Sequence, residues 1–505
     1  KANNVYNPLF TLCVLGKSCG FSSGSFSFAK LVSEPNNAPY TNTLNANKNQ
    51  HNMKKIILVP IAIIFLTISC QEKKEISDTV SLETYIDSLF QASVDGSQIA
   101  GGAILVYQNG KTLIKKSYGY GSLELSAPIP NDGIFEIGSV TKQFTAAAIL
   151  KLVDANKLSL NDDFTQYLDF DTKGRKVTID NLLNHTSGIP SYTAFAEFGE
   201  LMIQDHPRDS LVRLVESKNF MFEPGEALIY NNSAYFFLGL IIEKVTGQTY
   251  EEYLKDTFFD SLGMDNTSYC STSEVTKNKV YGYGYTPEGL KQKGYLNHIW
   301  PYAGGSLCST TEDLLTWMTA LHQGNILSES LYQSLITPGQ LKDGSNLHYA
   351  KALVNFSDFG NHRIGHGGGI NGFLTDTRYF PDEDLYIISL VNTTGPKGAS
   401  FFADAITWEL LEKETPQSKE LDINTKLLEG KYIGAVRGSD SFTIEVKSIL
   451  NGLTVKSEMD DKADTLKTYI GNNTWADDNT RIIIKNNEYR FVNSSAYYIL
   501  KKEIE

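Results

Sequence analysis

Ser139 and Lys142 stand three residues apart in Phe135-Glu136-Ile137-Gly138-Ser139-Val140-Thr141-Lys142-Gln143-Phe144, directly before an Ala-rich run. That spacing puts both side chains on one face of the first turn of a helix. A serine at a helix start is ordinarily a cap for free backbone N–H groups. Capping leaves Lys142 unexplained, because a cation in the first turn opposes the helix dipole at a cost of about 0.3–1 kcal/mol. The same field, together with burial, weakens the lysine's hold on its proton, which is what a general base requires. The pair reads as a nucleophile with its base, suited to acyl transfer. Serine and lysine also meet at this spacing by chance, so support must come from the rest of the chain.

Four further segments supply it, in order. Ile179 to Pro190 contains Asn184-His185-Thr186-Ser187-Gly188, and Phe222-Glu223-Pro224-Gly225-Glu226 leads into Tyr230-Asn231-Asn232. Pro301-Tyr302-Ala303-Gly304-Gly305-Ser306 runs into Ser309-Thr310-Thr311-Glu312-Asp313, and Gly365-His366-Gly367-Gly368-Gly369-Ile370-Asn371-Gly372 comes last. With these in place the chain resembles the serine β-lactamase and penicillin-binding family over roughly residues 80–415. The likeness is to its class C-like branch, which includes DD-peptidases, D-aminopeptidases and esterases.

The resemblance implies roles residue by residue. Ser139 is the acylated nucleophile, Lys142 its proton acceptor, and Tyr230 the partner for proton transfer to the leaving group and from the deacylating water. Asn232, His366 and Gly368 match positions that orient the substrate. The oxyanion hole is the backbone N–H of Ser139 and of Gly369. No metal or other cofactor is implied. His185 is read as structural, and Glu226 and Asp313 as helix-start or loop residues. His366-Gly367-Gly368 occupies the place of Lys-Thr-Gly in the β-lactamases of this branch, and imidazole is mostly neutral at pH 7 where Lys is a fixed cation. That change weakens the grip on a β-lactam carboxylate. The expected activity is a serine hydrolase acting through an acyl-enzyme on a small peptide, amide or ester. The alternatives are a β-lactamase, a slow-turnover penicillin-binding protein, or a surface binding lipoprotein with a degenerate hydrolase body.

These residues need elements to position them. Leu82, Tyr85, Ile86, Leu89 and Phe90 fall at helical spacing, and 102–107 and 112–117 are apolar-rich runs joined through Asn109-Gly110, a hairpin signal. Phe144 to Val153 is helical, Leu385–Val391 a buried strand, and Phe401 to Leu411 a closing helix with Phe402, Ile406 and Leu410 on one face. The expected fold is α/β, a β-lactamase-like antiparallel sheet flanked by helices with a helical insertion. Beyond Pro416 the pattern turns to short β-prone runs, 442–446, 453–455, 481–484, 489–492 and 497–500, separated by Asn- and Gly-rich turns. This is expected to be a separate all-β domain at 420–505, resembling the lipocalin-like appendages behind some family members.

Composition narrows the field. The 505 residues are 41% hydrophobic and 20% charged, enough for a packed core, so wholesale disorder is excluded. With 45 Lys and Arg against 58 Asp and Glu, the net charge of −13 repels phosphate backbones, and no nucleic-acid partner is expected. No His-Glu-x-x-His motif occurs, and no dinucleotide glycine fingerprint leads from a strand into a helix, so metalloprotease and Rossmann readings lose support. Cys270 and Cys308 could pair in an exported protein, but their spacing says nothing of distance, and two separate small hydrophobic residues is the plainer reading.

Targeting is legible near the start. Met53-Lys54-Lys55, the apolar run Ile56 to Ile68, and Ser69-Cys70 read as a signal peptide at 53–69, too short for a span of about 20 residues. A Cys at that junction resembles a bacterial lipoprotein signal, although Leu66 lies four residues before Cys70 where three is usual. The reading is an upstream segment at 1–52, a lipidated Cys70, a tether at 70–79, and a protein held on the periplasmic or cell-surface side of a bacterial membrane. Expressed from Met53 in a bacterium with lipoprotein machinery, the protein should partition with membranes and take up labelled fatty acid at Cys70. An unmodified Cys70, seen by mass spectrometry, defeats this reading.

Overall fold

The structure is a computed structural model and describes residues 81–503 apart from 467, 478 and 479. The expected upstream segment at 1–52, signal peptide at 53–69, lipidated Cys70 and tether at 70–79 all lie outside the described residues.

β1 (Gly101–Gln108) and β2 (Lys111–Ser122) form the expected hairpin. Asn109 and Gly110 take φ of 49° and 79°, so the two-residue turn follows the twist of the strands it joins. They belong, with β3 (Asn361–Ile370), β4 (Phe373–Phe380) and β5 (Leu385–Val391), to a sheet of seven strands among the described residues. Its order is 354–358, β3, β4, β5, β1, β2, 127–128, and every neighbouring pair is antiparallel.

The central strands are covered on both faces. Ile104 and Val106 of β1 and Ile387 and Val391 of β5 pack with Ile86 and Phe90 of α1 (Leu82–Asp95). Phe402 and Ile406 of the closing helix, Ala399–Leu410, complete that layer. Ala103, Leu105, Ile388 and Leu390 point the other way, into a larger core with Phe144 and Leu150 of α2 (Thr141–Asp154). Burial on both sides is why Leu385–Val391 reads as a nearly continuous apolar run rather than an alternating one. The chain between α2 and β3 is a largely helical insertion whose central helix is α3 (Asn232–Thr246). Among the described residues no helix is long and apolar enough to cross a membrane.

The C-terminal residues build a barrel-like sheet with a core of its own, including Tyr432, Phe442, Ile444, Trp475 and Leu500. Among the described residues it has ten strands. Nine lie within 430–502, among them β6 (Gly430–Val436), β7 (Ser439–Ile449) and β8 (Ala496–Lys502). The tenth is Leu228–Ile229 of the body, which pairs with β8 through Ile229↔Ala496 and Leu228↔Tyr497. The two parts thus share a sheet rather than standing apart. The sequence conceals this because two residues are too few to show a strand period.

Cys270 and Cys308 form a disulfide, correcting the reading of two separate residues. Cys308 lies in the strand Leu307–Ser309, opposite Glu136, which stands three residues before Ser139. Closing a loop across a separation of 38 residues is worth roughly 2–4 kcal/mol, most of it through the unfolded chain. Removing both cysteines as Cys270→Ala with Cys308→Ala, or adding reductant, should lower the urea midpoint accordingly. Identical wild-type midpoints with and without reductant would show the cysteines unpaired.

Candidate active site

Ser139 lies in a single turn of 3-10 helix, Gly138–Val140, that feeds α2. No side chain caps α2, so the hydroxyl is not engaged as a cap. Lys142 is fully buried in the second position of α2. Its Nζ lies 3.1 Å from Ser139 Oγ, 2.9 Å from Asn232 Oδ1 and 2.6 Å from the Gly304 carbonyl oxygen. Burial, and after it the charge of Arg437, hold the lysine pKa well below its ordinary value. A neutral lysine has two N–H bonds and one lone pair. The Asn232 and Gly304 oxygens can only accept, so they take both N–H bonds and leave the lone pair facing Ser139 Oγ–H. In this arrangement the one atom of Lys142 able to take a proton faces Ser139.

Each acceptor is placed by its own element. Asn232 is the first residue of α3, and its neighbour Asn231 caps that helix by accepting from Ala234 N–H at 3.0 Å. The Asn232 amide is oriented by donating through Nδ2 to Thr193 Oγ1 at 3.1 Å. Gly304 ends a turn, Tyr302–Gly304, packed on α3 at Gly239. A Cβ at Gly239 would sit 2.4 Å from the Tyr302 ring and 2.5 Å from Ala303 Cβ. Only glycine lets that turn bring its carbonyl to the lysine.

The glycines of β3 serve the other side of Ser139. β3 pairs with 354–358 only as far as Gly365. Beyond His366 that edge meets the helix start instead of a strand. A Cβ at Gly368 would lie 2.0 Å from Ile137 O and 3.3 Å from Ser139 N, and one at Gly138, whose φ is 51°, would lie 2.9 Å from Gly369 N. The backbones at Ser139 and Gly369 are thereby held together, as two converging N–H donors to one oxyanion require.

His366 is buried, and the hydrogen bonds around it fit a neutral ring. Asn231 N–H donates to His185 Nδ1 at 3.2 Å, so the His185 proton is on Nε2, directed at Tyr349 Oη at 3.1 Å. Tyr349 then donates to His366 Nε2 at 3.0 Å, and His366 Nδ1–H is left to donate to Gly367 O at 2.5 Å. Burial, then the nearby Lys142, bring the His366 pKa to about 4. The ring therefore stays neutral well below pH 6.5 and offers no cation to a substrate at mildly acid pH. Because the unfolded chain takes up that proton first, His366 costs stability as pH falls from about 6.5 toward 4. His185, with φ of 63° and no exposed surface, is the pivot of this chain.

Tyr230 lies between these groups. Its ring centroid is 5.0 Å from Lys142 Nζ and 6.0 Å from the His366 ring. The hydroxyl is buried without a formed hydrogen bond. Burial raises its pKa, with the Ser139 hydroxyl acting in the opposite sense, so the phenol keeps its proton. Asp313 accepts from Asn266 N–H and Thr267 Oγ1, a structural role. Glu226 lies at the turn before Leu228–Ile229 and is exposed. Among the described residues no three His, Cys, Asp or Glu side chains converge to hold a metal ion.

Four contributors escape the sequence reading. They are the Gly304 carbonyl, Thr193, Tyr349, and Arg437 of the C-terminal domain, whose Cζ lies 5.5 Å from the Tyr230 ring centroid. Gly304 stood within a quoted motif, but nothing local marks its carbonyl as a ligand. The other three are single residues in a short 3-10 turn, a loop and a hairpin turn.

Comparison with known proteins points the same way as the geometry. The family model described as Beta-lactamase matches residues 86–411. Protein flp of Staphylococcus aureus strain N315 is 28% identical over 319 residues, 61% of this chain. The match spans 62% of flp's own length. Penicillin-binding protein 4* of Bacillus subtilis is 29% identical over 324 residues, 61% of this chain and 71% of that protein. Among solved structures, the octameric penicillin-binding protein homologue of Pyrococcus abyssi is similar at 25% identity and a TM-score of 0.59. It covers 83% of this chain and 99% of its own, a span longer than residues 86–411.

The contact at Gly368 can be tested directly. Gly368→Ala must push β3 away from the helix start, and a misplacement of about 1 Å can cost some hundredfold in rate. Labelling of Ser139 by a fluorophosphonate should slow by about that factor in protein still folded at the assay temperature, with a lower thermal midpoint because the clash is with backbone. Labelling at the wild-type rate would show that the approach of β3 to Ser139 is immaterial.

Proposed function

Because the chain belongs to the β-lactamase family, we propose that it is a serine hydrolase working through an acyl-enzyme on a small peptide, amide or ester. The observation that carries this is the lone pair of Lys142, left facing Ser139 by two obligate acceptors. In the reaction, Ser139 Oγ bonds to the substrate carbonyl carbon as its proton passes to Lys142. The carbonyl oxygen becomes an oxyanion against the N–H groups of Ser139 and Gly369. The C–N or C–O bond then breaks, and the leaving group takes a proton from Tyr230, which its burial keeps protonated. Lys142 returns its proton to Tyr230, water then attacks the acyl carbon as its proton is relayed through Tyr230 to Lys142, and Ser139 Oγ takes that proton back as its bond to the acyl carbon breaks.

The neutral His366 cannot grip a carboxylate at the place where β-lactamases of this branch use lysine, which supports a substrate held differently from a β-lactam. Slow penicillin binding is the second reading, favoured by the name of the Bacillus subtilis relative. Membrane attachment through Cys70 belongs to the same proposal and would have the enzyme meet its substrate outside the cytoplasm.

A panel of p-nitrophenyl esters, amino-acid p-nitroanilides and a chromogenic cephalosporin separates these readings. Ser139→Ala should cut turnover by something like 10⁶-fold on whichever substrate is accepted. Retention of a tenth of wild-type activity would exclude Ser139 as nucleophile. Cephalosporin turnover faster than that of every ester and anilide would move the chain to the β-lactamases.

The pH profile carries a further test. Lys142 must be neutral to act, so the acylation rate rises with pH through the depressed lysine pKa and then levels off. The plateau should be reached well below the ordinary lysine value of about 10.4. A rate still climbing through pH 10 would mean that Lys142 keeps its proton at neutral pH.

A further inference from the structure

A cation does reach this site, and it comes from the other domain. The hairpin of β6 and β7 closes through Arg437 and Gly438, with Val436 paired to Ser439. Gly438 takes φ of 92°, which a two-residue turn of this kind requires, and an added Cβ there would lie 3.6 Å from Ala194 of the body. The turn is thus seated on the loop that carries Ser191 and Thr193. Arg437 donates from Nη2 to Thr193 Oγ1 at 3.0 Å, and Thr193 Oγ1 also accepts from Asn232 Nδ2, whose amide oxygen holds Lys142. Two hydrogen bonds through Thr193 therefore join Arg437 to the residue that orients the base.

What this guanidinium lacks, among the described residues, is an acid. It has five N–H donors, and the bond to Thr193 takes one. The groups acting on its charge are the phenols of Tyr230, Tyr498 and Tyr192, with no carboxylate among them. It opens into a cavity of about 70 Å³ bordered by Ser191, Ala194, Phe195, Met221 and Tyr230. Ser191, Asn231 and the Tyr230 ring can offer it neutral partners, but no acidic side chain lines that cavity. A partly buried guanidinium without a counter-charge is costly until an anion completes it.

Resting on the serine-hydrolase reading, we propose that Arg437 is the specificity residue of this site and that the substrate carries a carboxylate, bound by the guanidinium beside Tyr230. The planar fork of arginine matches a carboxylate in two parallel hydrogen bonds, and a lysine in its place would do so less well. The selectivity of the hydrolase body is then set by a turn of the C-terminal domain.

Two pairs of isosteric esters test this and report where the carboxylate sits. p-Nitrophenyl hydrogen glutarate against p-nitrophenyl valerate places the charge on the acyl side. Valerate esters of 4-hydroxybenzoate and 4-hydroxybenzamide place it on the leaving group. The anionic-to-neutral ratio of kcat/KM should favour the anion in one pair. In that pair it should fall roughly tenfold to a hundredfold in Arg437→Gln, as loss of a charged hydrogen bond does, and only partly in Arg437→Lys. A ratio unchanged by Arg437→Gln in both pairs, in protein with the wild-type circular dichroism spectrum, overturns the proposal. Calorimetry of glutarate binding needs no turnover. Ser139→Ala protein should bind it at least tenfold more tightly than Ser139→Ala with Arg437→Gln, and equal or absent binding also overturns the proposal. Hydrolysis that survives Ser139→Ala would instead sink the serine-hydrolase reading, while the calorimetric comparison still judges Arg437.

Discussion

The amine of Lys142 is fully buried, and the surrounding structure is arranged around that fact. An isolated ammonium in such a place costs several kcal/mol, so the neutral amine is favoured. A neutral amine still needs its two N–H bonds met, and they are met by Asn232 Oδ1 and Gly304 O. Neither can give a proton back, which is what directs the remaining lone pair to Ser139. Much of the local architecture follows from delivering those two oxygens. α3 begins at Asn232, and the turn at 302–304 can touch α3 because residue 239 has no side chain. The helix start can lie against β3 for the same kind of reason at Gly138 and Gly368.

A second constraint is that the charges around the nucleophile are kept few. His185 and His366 are buried and neutral, their tautomers set in series from Asn231 N–H through Tyr349. The phenol of Tyr230 keeps its proton. A single fixed positive charge arrives from outside the body, on Arg437, and both Lys142 and Tyr230 feel it. The C-terminal domain also fixes the chain leading into Tyr230, since Leu228 and Ile229 are a strand of its sheet. Position and electrostatics of one side of the site therefore depend on a domain that lies beyond the family match at 86–411.

The sequence by itself determined the elements and the principal pair. The hairpin at Asn109-Gly110, the strand at 385–391, the helices at both ends of the body and the β-prone runs after residue 440 all follow from periodicity and turn chemistry, which are local. Ser139 and Lys142 were legible for the same reason, because both sit in one turn of one helix and Lys142 defies the helix dipole there. Only tertiary structure decided the rest. The disulfide between Cys270 and Cys308 needs a distance that spacing does not carry. The Gly304 carbonyl is a backbone atom, identical in every residue type, and becomes a ligand only where the packing of Gly239 aims it. His366 could be expected to be neutral at pH 7 from its type, but its removal from solvent, and hence its neutrality far below pH 6.5, depends on Tyr349 and His185 closing over it. Arg437 lies ahead of the first expected strand at 442–446 and carries no local signal, since its meaning lies in Thr193 and Tyr230, more than 200 residues earlier in the chain. Contacts of that range are set by how sheets and helices pack, and no local pattern encodes them.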